Sequence, residues 1–86
     1  MGNLATVEVS IDCAPGAPRP DAYIPDVADD LGVKYGEPIS KFFGNWTWRL
    51  KNVDKSQYEQ KLEGIMKRAN DLYARGRIRY FSIKIL

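Results

Sequence analysis

The run from Asp54 to Gly76 constrains the fold more than any other stretch of this chain. Its apolar residues Tyr58, Leu62, Ile65, Ala69, Leu72 and Tyr73 recur mainly at steps of three and four. That period gathers them into one stripe along an α-helix. Asp54 stands where a carboxylate oxygen accepts from the free N–H groups of the first turn, and Gln57 three residues later completes a capping-box pattern. Gly76 occupies the position of a left-handed C′ residue, with Arg75 beside it at the negative end of the helix dipole. A helix with one apolar stripe needs a surface to cover, and the segments around it read as sheet.

Residues 4–12 alternate. Val7, Val9 and Ile11 point one way, and Thr6, Glu8, Ser10 and Asp12 point the other. This is the pattern of a strand with one buried face and one wet face. Residues 42–51 alternate as well, with Trp46, Trp48 and Leu50 on the inner face and Asn45, Thr47 and Arg49 on the outer. Residues 77–86 form the last strand, with Phe81, Ile83 and Ile85 turned inward and Tyr80, Ser82 and Lys84 outward.

Between the first two strands the signals weaken. Cys13 to Pro20 holds three prolines and a glycine, so it reads as an irregular loop. Residues 21–31 have helical spacing at Ile24, Val27, Ala28 and Leu31, with Pro25 tolerated in the first turn and Gly32 as the stop. Residues 33–39 would be a short edge strand weakened by Gly36 and Pro38. The expected fold class is α+β in one small domain spanning residues 1–86. Its order is βαββαβ, a ferredoxin-like split antiparallel sheet with one long and one short helix on one face. If residues 33–39 are loop, the fallback is a three-stranded sheet with one dominant helix.

Composition narrows the functional classes. With 86 residues, 44% hydrophobic and 28% charged, the chain has the make-up of a globular domain with one modest core. No apolar run approaches the ~20 residues that span a bilayer, and no basic-then-apolar leader opens the chain, so no membrane partner is expected. The single cysteine, Cys13, has no internal disulfide partner, which fits a reducing cytoplasmic setting. Histidine is absent. The commonest general base and the usual zinc ligand are therefore missing, and neither a cofactor nor a metal is expected.

Two local patterns resemble known sites. Cys13 and Arg19 have the C-x5-R spacing of the phosphate loop of tyrosine phosphatases, a resemblance covering seven residues. That chemistry needs a cradle of backbone N–H donors, and Pro15 and Pro18 remove two of them. The element order resembles the RNA-recognition motif, and residues 41–48 are similar to its central-strand signature. Phe43 matches one base-stacking position, whereas Asn45 and Glu8 stand at the other two. Asp26, Asp29 and Asp30 read as a solvated acidic face rather than as a cation site.

Charge is unevenly distributed. Residues 1–54 carry a net −3 and residues 55–86 a net +5, which can steer a charged partner. Lys61, Arg68 and Arg75 recur every seven residues on the outer side of the long helix, with Arg77 and Arg79 following. Gly64 lies among them with no propensity reason to be there, as though another backbone approached it closely. The reading that joins these features is a small non-catalytic protein-binding module: an inhibitor, adaptor or regulatory accessory protein of the kind viruses and mobile elements encode. The partner-binding residues would be Phe43, Arg49, Lys61, Gly64, Arg68, Arg75, Arg77, Arg79 and Tyr80. The alternative is nucleic-acid binding through the basic half. An unpaired edge strand and opposite charge halves also favour a homodimer.

Overall fold

A computed structural model of the chain describes residues 4–16, 19–42 and 44–86. Strand β1 (Leu4–Cys13) runs through the middle of the sheet. A 3-10 turn at Pro20–Ala22 then leads into the short helix α1 (Ile24–Asp30). Strand β2 (Ser40–Phe42) and strand β3 (Asn45–Asp54) follow, then the long helix α2 (Lys55–Ala74) and strand β4 (Ile78–Ile85). The four strands form one antiparallel sheet in the order β2-β3-β1-β4, consistent with a split α+β fold. Both helices contribute to one core against the same side of the sheet. No helix among the described residues is long and apolar enough to cross a membrane.

Cross-strand register explains the core. Leu50, Val7 and Ile85 form one row, Trp48, Val9 and Ile83 the next, and Trp46, Ile11 and Phe81 the third. Val7, Val9, Ile11, Trp48 and Leu50 are buried in it. Phe81, Ile83, Ile85 and Trp46 are half-buried, because they sit toward the sheet margins where helix cover thins. The Trp46 and Trp48 rings lie 5.9 Å apart, tilted by 47°. From α2, Tyr58, Ile65 and Ala69 are buried over these rows, while Tyr73 ends up 37% exposed and leaves the expected stripe.

Two register irregularities decide which residues face in. Ala5 pairs with Val53 and Val7 with Leu50, so β3 carries an extra residue there. Asn52 has φ 60°, a conformation that asparagine tolerates better than most residues. This lets both Leu50 and Val53 reach the core. In β4, Asp12 pairs with Tyr80 but Cys13 with Ile78, so Arg79 is extra and Ile78 turns inward.

The structure corrects the middle of the chain. Residues 33–39 are not a strand; Gly36 takes φ 61° there and Pro38 has no donor for a ladder. The edge strand begins at Ser40, with Ile39 N donating to Thr47 O at 2.8 Å just before it. The continuous strand expected over residues 42–51 is divided: Phe42 pairs with Asn45 across a hairpin, and β3 runs on to Asp54. The three-stranded fallback is therefore excluded. The helix expected over residues 21–31 is confined to Ile24–Asp30.

The ends of α2 are well determined. The Asp54 carboxylate accepts from Ser56 N at 2.8 Å and Gln57 N at 3.3 Å, so one residue ends β3 and caps α2 with no linker. The Gln57 side chain does not reach back to complete a box; it donates to Asp30 O at 3.0 Å and ties α2 to the end of α1. At the other end Gly76 has φ 71°, Gly76 N donates to Tyr73 O and Arg77 N to Leu72 O, which is a Schellman closure.

Candidate protein-interaction surface

The register that buries one face leaves the other free of helices. Three rows cross it. Arg49, Glu8 and Lys84 form the first; Ser40, Thr47, Ser10 and Ser82 the second; Phe42, Asn45, Asp12 and Tyr80 the third. Every side chain here is polar except the Phe42 ring. Ser10 Oγ and Thr47 Oγ1 share a hydrogen bond of 2.9 Å at the centre. Arg49 lies 3.7 Å from the Glu8 carboxylate. Arg79, the extra residue of β4, reaches back to Asp12 at 3.2 Å. Gly44 lies close beside them: a Cβ there would stand 3.1 Å from Asp12 Oδ1, so the carboxylate would have to shift by a few tenths of an ångström. Asn45 Oδ1 is buried with no hydrogen-bond partner among the described residues.

The aromatics stand at opposite rims of the third row. Phe42 on β2 is 70% exposed and Tyr80 on β4 is 47% exposed. Three inter-strand gaps of about 4.8 Å separate them, roughly 14 Å in all. Sequence reading missed Phe42, because it ran residues 42–51 as one strand and so put Phe42 on no particular rim. The hairpin was the missing signal: Gly44, with polar Asn45 after it, divides the run. Phe43, the expected stacking aromatic, lies outside the described residues.

The expected site residues do not form one patch. Arg49, Arg79 and Tyr80 belong to the helix-free side of the sheet. Lys61 and Gly64 are exposed on α2, on the opposite side of the molecule. Arg68 donates to the Asp30 carboxylate at 2.9 Å and bridges the two helices. Arg75, the residue after α2, pairs with Asp71 of its last turn at 3.1 Å, and Arg77 is exposed just beyond. The basic stripe is thus broken by local acids. Beyond its own helix turn, Gly64 has nothing among the described residues within 4 Å of where a Cβ would sit, so none of their backbone approaches it.

The chemistry of Cys13 runs against a nucleophile. The thiol is buried, and burial, with Asp12 and Asp21 nearby, pushes its pKa up to about 11. A reactive cysteine needs the opposite shift. Residues 17–18, the middle of the phosphate-loop resemblance, lie outside the described residues. A hollow of about 210 Å³ opens between α1, α2 and β4, lined by apolar side chains with Asp26 and Arg68 at its margin. Among the described residues no group of three or more acidic or cysteine side chains is arranged to hold a metal ion. Comparison with protein-family models, with curated proteins and with solved structures finds no match.

Proposed function

We propose that the chain is a small non-catalytic protein-binding module, built on a ferredoxin-like split sheet, that docks a partner protein on its helix-free face. The observation that carries this reading is the exposure of Phe42 and Tyr80 at the two rims of one cross-strand row. Phe and Tyr, with Arg49 and Arg79 on the same face, are residue types enriched at protein interfaces. The order β2-β3-β1-β4 with helices after β1 and β3 supports the ferredoxin-like assignment. A buried, unpaired thiol suits a reducing compartment such as the cytoplasm. Action as an inhibitor or adaptor follows from the same face, since a docked sheet occludes or bridges without chemistry.

The test is affinity capture from nuclease-treated lysate of the native host. The wild type should recover a defined protein, and the Phe42→Ala/Tyr80→Ala double variant should lose it. An empty capture, or equal recovery by the double variant, sinks the reading. Nucleic-acid binding draws less support. Glu8 and Asp12 lie at the centre of the helix-free face, and Arg49, Arg68, Arg75 and Arg79 are each paired to a carboxylate.

A further inference from the structure

Strand β4 ends the sheet and pairs only with β1 among the described strands. Among the described residues its far edge therefore presents backbone groups with no strand beside them. One bond sets their phase: Leu86 N donates to Thr6 O at 2.9 Å. In an antiparallel strand the N–H and C=O of one residue point to the same side, and successive residues alternate. Leu86, Lys84 and Ser82 thus turn their backbone groups toward β1. Phe81, Ile83 and Ile85 turn theirs outward.

The same three residues carry half-buried apolar side chains on the core face. Natural edges are blunted by proline, a bulge, an inward charge or an edge lysine. Residues 81–86 have no proline, the register irregularity lies behind them at Arg79, and their one lysine, Lys84, stands on the helix-free face opposite Glu8 of β1, whose charge offsets it.

We propose that this edge seats a second copy of the chain, β4 pairing antiparallel with β4 of the partner subunit about a two-fold axis at Ile83. Outward backbone groups must meet outward ones, so Ile83 faces the partner's Ile83 and Phe81 faces the partner's Ile85. Each such pair exchanges two hydrogen bonds, and the ladder closes with about six. On the other face Ser82 meets the partner's Lys84, and Tyr80 meets the partner's Leu86. No like charges oppose each other, and the apolar rows of the two cores become one strip. Neighbouring registers are worse. An axis at Ser82 sets Ile85 against the partner's Arg79, which sits in the irregular part of β4. An axis at Lys84 sets that lysine against the partner's Lys84, a destabilising pairing. The strand is therefore complementary to itself in the register its backbone allows, as an isologous contact requires. The dimer covers neither helix-free face with a helix; Tyr80 at its seam is shared with the proposed docking face, whereas Ser82, which the test changes, is not among the docking anchors.

Sedimentation equilibrium over a range of concentrations tests this, with circular dichroism to confirm folding. The wild type should sediment as a dimer. Ser82→Lys should weaken dimerisation about fivefold or more by facing the partner's Lys84, and Ser82→Glu should tighten it. A wild type that stays monomeric overturns the proposal. So does a folded Ser82→Lys that dimerises like the wild type, or a Ser82→Glu that weakens association, which would mean that Ser82 faces itself.

Discussion

Cys13 shows how one side chain registers its surroundings. Its thiol titrates at about 11 instead of the ordinary 9.0, mainly because burial penalises the thiolate. At pH 8 the thiolate population is then about 100-fold smaller than for a free thiol, and alkylation by iodoacetamide should slow by roughly that factor. The sign of the linkage follows. The folded pKa lies above the unfolded one, so the stabilisation is complete below pH 9.0 and is lost as pH rises toward 11. Burial shifts the Tyr58 phenol in the same direction from 10.0. Urea midpoints measured across the alkaline range should fall, and Cys13→Ala should remove part of that slope; a flat profile would contradict the burial of both groups. Gly64 gives a second test. It is helical and has open space around it, so Gly64→Ala should stabilise the fold by about 0.5–1 kcal/mol in urea denaturation. A loss of stability would mean that something does pack there.

Among the elements, α2 depends most on its ends. Asp54 is the last residue of β3 and the N-cap of α2, and its carboxylate satisfies two first-turn donors. Asp54→Ala should cost about 1 kcal/mol, with Asp54→Asn closer to the wild type, as read by thermal unfolding. Equal loss in the two variants would assign the effect to charge rather than to capping. The short helix α1 relies on tertiary ties instead. With seven residues it is too short to persist alone. It is held by burial of Ile24, Val27 and Ala28, by Gln57 donating to Asp30 O, and by the Arg68–Asp30 bridge.

At the scale of the whole molecule, folding offsets part of the charge asymmetry between the two halves. Arg68 and Arg79 of the basic half meet Asp30 and Asp12 of the acidic half. Phosphate recognition needs cations free to displace counterions. Retention on DNA or RNA should accordingly be weak at physiological salt and barely altered by Arg68→Glu/Arg75→Glu. Tight binding that falls steeply with salt and is lost in that variant would reverse the assignment in favour of nucleic acid. The two surfaces proposed for protein partners are the helix-free face with Phe42 and Tyr80 and the outer edge of β4.

Local periodicity was enough to determine α2, its capping aspartate and closing glycine, and the inward set Val7, Val9 and Ile11, because those patterns depend on neighbours within a few residues. It was also enough to place Glu8, Asn45 and Tyr80 on the face away from the helices. Three things were decided only by tertiary structure. The extra residues in β3 and β4 turn Val53 and Ile78 inward, and alternation has no term for a bulge. The edge strand moved to Ser40–Phe42 because pairing with β3, rather than its own propensity, defines it. The arginines found their acids across 38 residues for Arg68–Asp30 and 67 for Arg79–Asp12. A basic stripe read along one helix cannot reveal a carboxylate that only the folded chain brings beside it. Whether a charge is available to a partner is thus a property of the fold, while the side chains able to carry that charge are set by the sequence.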